Sequence, residues 1–253
     1  MIVPVAIPDD RLASFLGKTS PLTKLAVAVT WLLGLAFTRE PGPPVAIASV
    51  ALAAGIILGH LPPGALLRSI APLWIVAAIV AAGNTVFGAA NPDPAATELL
   101  RLGPLRITEQ ALATGLALGL RVMAIASVGA VFALTNDSTR LVDSLVQQAH
   151  APERFAYGAL AAYQAVPRFA EDLATLRQAR RIRGLRGSWH PRLLLGLLVL
   201  AIRHGDRMAL AMDARAFGSE RRSTYRRVGW SLLDLGVAVG AALALAGALA
   251  LAG

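Results

Sequence analysis

The chain has 253 residues, of which 56% are hydrophobic and 15% charged, with a net charge of +9. Soluble domains carry about 25% charged residues, so a water-soluble globular enzyme is excluded. The absence of cysteine also excludes disulfides and thiol chemistry.

Residues 41–67, 69–92 and 235–253 contain no Asp, Glu, Lys or Arg. Each approaches or exceeds the roughly 20 apolar residues that cross a bilayer. The expected fold is therefore all-α: a polytopic membrane protein of about five transmembrane helices plus a cytoplasmic domain of long amphipathic helices. The first 20 residues carry Asp9, Asp10, Arg11 and Lys18. They lack the basic-then-apolar order of a cleaved signal peptide, so insertion is expected to rely on the first span.

In chain order, Ser20 is placed to cap the first span and Pro21 suits its first turn. This span runs to about Thr38, before Arg39-Glu40-Pro41-Gly42-Pro43-Pro44. The second is expected over 45–60, the third over 70–90 and the fourth over 107–134, with a polar, turn-rich loop at 91–106. The fifth covers about 228–251. Three segments follow from this division: 1–135, 136–227 and 228–253.

Segment 136–227 holds 16 arginines against eight acidic residues, a net +8. Cytoplasmic loops concentrate Lys and Arg. With the N-terminus inside, the inner side holds 20 basic residues and the outer side only Arg39, Arg101 and Arg106. The N-terminus and 136–227 are thus expected in the cytoplasm of a prokaryote, under its plasma (inner) membrane. A polybasic surface is attracted to anionic lipid. Nucleic acid is not the expected partner, because the segment joins two spans and lacks stacking aromatics.

Inside this segment a helix is expected over 139–150, capped by Ser138-Thr139 with Asp143 in its first turn. Phe155, Ala159, Ala162, Val166, Phe169, Leu173 and Leu176 then recur at steps of three and four, one stripe of a longer helix. Pro167 should kink or divide it, and Gly184 and Gly187 should stop it. A second long stretch, 192–217, opens on an apolar run over 193–202 that includes Leu197. Ten residues are too few to span, so this run is expected in the interface or under other helices.

Each long helix ends on a similar signature. The first is Ala179-Arg180-Arg181-Ile182-Arg183-Gly184, the second Met212-Asp213-Ala214-Arg215-Ala216-Phe217-Gly218, with Arg183 and Arg215 32 residues apart. One arginine there needs no more than dipole compensation, about 0.3–1 kcal/mol. Two at equivalent ends of consecutive helices point to docking, and an arginine fork suits a carboxylate partner.

These residues resemble the transmembrane T component of energy-coupling factor (ECF) transporters, the EcfT/CbiQ/BioN family. The likeness rests on Ser20-Pro21-Leu22-Thr23-Lys24-Leu25, on Tyr163-Gln164-Ala165-Val166-Pro167-Arg168-Phe169 with Glu171, and on the two Ala-Arg-Gly-like signatures. The chain departs from the family pattern at Ile182, where alanine is usual, and at Ala216, where glycine is usual. Gly218 is the nearest residue able to supply the lost glycine turn. The resemblance implies a non-catalytic scaffold that couples two ABC-type ATPases to a substrate-binding membrane subunit, the S component. Arg183, Gly184, Ala214, Arg215 and Ala216 would dock the ATPases, which bind the ATP and Mg. Phe155, Val166, Phe169, Leu173, Leu176 and Leu197 would pack in the core or grip the S component. This chain itself would bind no cofactor or metal, and the cargo would be a vitamin or a transition-metal ion such as cobalt or nickel.

Other features point elsewhere only weakly. Gly17-Lys18-Thr19 lacks the glycine five residues upstream that a P-loop needs, since Leu12 stands there. His60, His150, His190 and His204 lack partners at ligand spacing. Arg121 lies inside a span, where a charge is costly, and is expected to pair with backbone carbonyls or the Thr135 end of the bundle. The alternative function is a conventional ABC permease domain. Its Glu-Ala-Ala-x-x-x-Gly docking pattern is imitated only loosely by Glu109-Gln110-Ala111 and Gly115, on the outer side.

Overall fold

A computed structural model describes residues 14–250 apart from 39, 89–90, 92–96, 103–104, 186–189 and 219–225. Among the described residues the chain forms nine helices and one two-stranded hairpin. They divide into two compact units, one of residues 14–137 with 229–250, the other of residues 138–228.

The first unit holds α1 (Phe15–Lys18), α2 (Pro21–Phe37), α3 (Gly42–Ile57), α4 (Pro63–Val86), β1 (Glu98–Leu102), β2 (Leu105–Thr108), α5 (Glu109–Thr135) and α9 (Leu232–Ala250). Three of these, α4, α5 and α9, are long and apolar enough to cross a membrane. The remaining two expected spans, α2 and α3, are apolar but only 17 and 16 residues long. At 1.5 Å per residue they rise about 26 and 24 Å, short of a 30 Å hydrocarbon core.

Local chemistry sets the boundaries. Ser20 caps α2, its Oγ accepting from the Leu22 N–H at 3.3 Å, with Pro21 in the first turn. The third expected span starts at Pro63 instead of 70, because proline fits the first turn and Arg68 remains exposed. The loop at 91–106 carries the antiparallel hairpin, which also takes Ile107 and Thr108 from the expected fourth span. Asn91 ties the hairpin to α4. Its Oδ1 accepts from the Thr108 N–H at 3.0 Å, and its Nδ2 donates to the Thr85 and Val86 carbonyls.

Lipid tails are as apolar as leucine, so membrane helices associate through close packing and polar ties. Gly115 and Gly119 of α5 lie against Ala81, Thr85 and Ala77 of α4. Trp31, Leu35, Ile47, Ala48, Ala124 and Val128 form the core of α2, α3 and α5. Polar ties cluster at one end. Lys24 Nζ donates to the Thr135 carbonyl at 2.8 Å, and the Asp234 carboxylate accepts from the Ser20 and Ser231 N–H groups at 2.6 and 2.8 Å.

These ties correct one expectation. The Thr135 end is occupied by Lys24, while Arg121 lies 14 residues earlier on the same helix, about 21 Å away along the axis. The buried Arg121 Nε has no hydrogen-bond partner among the described residues.

The second unit contains α6 (Ser138–Gln148), α7 (Glu153–Ile182) and α8 (Pro191–Ala214). Helix α7 continues through Pro167 for 30 residues, so the proline does not divide it. Asp143 is the sixth residue of α6, not part of its first turn. It is buried and accepts from the Tyr157 hydroxyl at 2.9 Å, joining α6 to α7. Gln147 fixes the far end of the segment, donating to the Arg226 carbonyl and accepting from the Val228 N–H.

Candidate coupling site: two arginine-capped helix ends

Arg183 is the C-cap of α7 and Arg215 the C-cap of α8. After Arg183, Gly184 takes a left-handed φ of 72°. Its N–H donates to the Arg181 carbonyl at 3.1 Å, and the Leu185 N–H to the Arg180 carbonyl at 3.2 Å. After Arg215, Ala216 takes φ 53°. Its N–H donates to the Asp213 carbonyl at 2.9 Å, and the Phe217 N–H to the Met212 carbonyl at 3.0 Å. Both are Schellman turns with the same two bonds at the same offsets.

The turn after Arg215 therefore forms at Ala216 itself, despite its Cβ. Gly218, expected to supply it, has a left-handed φ of 86° of its own. Its carbonyl accepts from the Arg154 guanidinium at 3.3 Å, and a Cβ at Gly218 would meet that guanidinium at 2.6 Å.

Three contacts position the two caps. The rings of Tyr157 and Phe217 meet edge-on at 6.5 Å, and those of Phe169 and His204 at 6.0 Å. A Cβ on Gly196 would lie 3.3 Å from Leu176. As the α7 number rises its partner's number falls, so the helices run antiparallel. Arg183 and Arg215 accordingly lie toward opposite ends of the pair. From the level of Tyr157 to Arg183 is 26 residues, about 39 Å of helix rise.

Both arginines are exposed, as are Gly184, Ala214 and Ala216, and neither arginine makes an ion pair among the described residues. Arg177, Arg180 and Arg181 add charge near the α7 end. The Arg180 Nε is buried without a hydrogen-bond partner among the described residues. Both helix termini present negative dipole ends, which explains why arginine is tolerated there. A dipole leaves the outward fork of each guanidinium unused.

The apolar stripe does not act as one face. A heptad spacing drifts about 20° per repeat around a straight helix, so Phe155 and Leu176 differ by about 60°. Phe169, Leu173, Leu176 and Leu197 are half-buried, whereas Phe155 and Val166 are 82% and 52% exposed. The face of α7 turned inward runs in steps of four through Tyr157, Ala161, Ala165 and Phe169, of which the stripe includes only Phe169. Phe217 and Arg154 were also missed. Their roles depend on a contact across 60 residues of sequence.

Comparison with known proteins places this architecture. The CbiQ family, described as cobalt transport protein, matches residues 13–225. The energy-coupling factor transporter transmembrane protein EcfT of Heliobacterium modesticaldum is 27% identical over 92% of this chain and 94% of its own length. EcfT of Acidaminococcus fermentans is 25% identical over 87% of this chain and 86% of its own. The match includes both capped helix ends, and the chain belongs to the CbiQ cobalt transport protein family, a transmembrane component of the energy-coupling factor type.

Proposed function

We propose that the chain is the non-catalytic coupling subunit of an ECF-type ABC importer in a prokaryotic plasma membrane. Two cytoplasmic ABC-type ATPases dock on its two arginine ends, and a membrane S component supplies the cargo. The observation that carries this reading is the repeated cap: two exposed arginines, without an ion pair among the described residues, on the same Schellman backbone at opposite ends of one antiparallel pair. Two like sites suit two like subunits, and a guanidinium fork suits a carboxylate in each.

ATP and Mg belong to the partners. When the ATPases close, a rigid pair about 39 Å long transmits the movement as a lever, with no chemistry of its own. Phe155 and Val166, with the exposed face of α8 at Leu194, Leu198 and Ile202, form the apolar surface that grips the S component. The excess of arginine supports a cytoplasmic position for residues 136–227 and the N-terminus. The cargo is a vitamin or a transition-metal ion captured by the S component; the family's description favours cobalt as the first to assay.

Co-purification with candidate ABC ATPases tests the reading. Arg183→Glu and Arg215→Glu should each weaken assembly, and together abolish it along with ATP-driven uptake. Unchanged assembly and uptake in the double variant would sink it.

A further inference from the structure

Within the first unit, α2, α3, α5 and α9 do not close on one another at one end. Between them lies a cavity of about 430 Å³. The lining comes from 24–31 of α2, 50–58 around the end of α3, 128–135 of α5 and 236–241 of α9. Bonds hold these ends at one level: Leu16 N–H to the Leu58 carbonyl at 3.1 Å, Lys24 to Thr135, and Ser20 to Asp234. The cavity is therefore confined to one half of the membrane helices, the half on the Lys24 side.

Its wall is almost wholly apolar. The polar side chains are Lys24, bonded to the Thr135 carbonyl, and Thr135, whose hydroxyl donates to the Val131 carbonyl. A buried water needs two to four polar partners, and an engineered apolar cavity of about 150 Å³ stays dry and takes up benzene or xenon. A cavity nearly three times that size, open to hydrocarbon, fills with hydrocarbon. At the mouth, Phe15 and Leu16 of α1 line the cavity while Lys18 of the same short helix is exposed.

We propose that this cavity holds one acyl chain of a phospholipid from the leaflet on the Lys24 side, with its phosphate facing Lys18. Small residues make the space: Ala28, Ala51, Ala54, Gly236, Gly240 and Ala241 leave room beside Trp31 for an unbranched tail. The lipid becomes a structural element between the first and last membrane helices. It bridges α2 and α9 beside their direct tie, the Trp31 Nε1 bond to the Ala241 carbonyl at 2.9 Å.

Trp31 reports on occupancy. The full chain, with Trp74, Trp189 and Trp230 changed to Phe, is placed in nanodiscs containing phosphatidylglycerol brominated in mid-chain. Gly240→Leu and, separately, Gly236→Leu fill the cavity; a Cβ at either glycine meets nothing within 4 Å. Trp31 should be quenched in the parent chain, and quenching should fall about twofold or more in each filled variant as the tail is excluded. Native mass spectrometry should show one retained phosphatidylglycerol that both variants lose. Lys18→Gln should weaken that retention by about five-fold, one basic residue's attraction to an anionic headgroup. Trp31 unquenched in the parent chain, as a protein occupant would leave it, overturns the proposal. Equal quenching in the parent and filled variants, whichever of them folds, overturns it too.

Discussion

Arg183 and Arg215 occupy the same backbone position, the C-cap of a Schellman turn, although glycine follows only the first. The second turn forces Ala216 to φ 53°, where a Cβ crowds the following carbonyl at about 1–2 kcal/mol. Glycine removes that strain but loses about 0.5–1 kcal/mol more conformational freedom on folding. Ala216→Gly should therefore stabilise the chain by about 0.5–1 kcal/mol, read as a raised thermal midpoint in detergent. Gly184→Ala should cost a similar amount. A lowered midpoint for Ala216→Gly would show that the alanine methyl makes a contact worth more than the strain.

Asp234 ties the first and last membrane helices through two backbone donors, Ser20 and Ser231, and is itself 3% exposed. Removing an acceptor from a buried donor costs about 1–3 kcal/mol each. Asp234→Ala should lower stability by about 2–4 kcal/mol, whereas Asp234→Asn, which keeps one carbonyl oxygen, should lose about half of that. Unfolding of both variants side by side checks this. Equal losses would mean that charge, not acceptor count, holds the junction.

Much of this molecule is legible one residue at a time. Caps, prolines and apolar length locate α2, α4, α5 and α9, because those signals act within a turn or two of the residue that carries them. The arginine ends are legible for the same reason. What escapes is whatever depends on a distant neighbour. Lys24 reads as one more cytoplasmic charge, yet it is buried on the carbonyl of Thr135, 111 residues away. Asp143 reads as a first-turn acid, yet its partner is Tyr157 on the next helix. Periodicity shows that α7 is amphipathic but not which of two faces about 90° apart meets α8. The turn at Ala216 escapes because its bonds are made by backbone, which tolerates an alanine at modest cost.

The Asp143–Tyr157 pair offers a clean measure of how α6 is held on α7. A hydrogen bond to a charged group contributes about 1.5–3 kcal/mol. Tyr157→Phe should cost that amount in the parent chain and far less in an Asp143→Ala background, where the acceptor is already gone. A coupling above about 0.5 kcal/mol in this double-mutant cycle marks a direct interaction. Additive losses would mean that the hydroxyl acts through something other than Asp143, since phenylalanine keeps the ring that meets Phe217.

Helix α5 supplies its own control for close packing against α4. A Cβ at Gly115 would collide with Thr85 Oγ1 and lie 2.7 Å from the Ala81 carbonyl oxygen, whereas one at Gly129 meets nothing within 4 Å. Both glycines sit inside the same 27-residue helix, so alanine offers the same intrinsic gain at each, up to about 1 kcal/mol. At Gly129 only that gain operates, and Gly129→Ala should be neutral or stabilising. At Gly115 it is opposed by overpacking of about 1–3 kcal/mol, with backbone as the obstacle, so α5 must move away from α4. Gly115→Ala should therefore lower the unfolding midpoint while Gly129→Ala does not. Equal effects at the two sites would mean that α4 and α5 pack less closely than the Gly115–Ala81 approach requires.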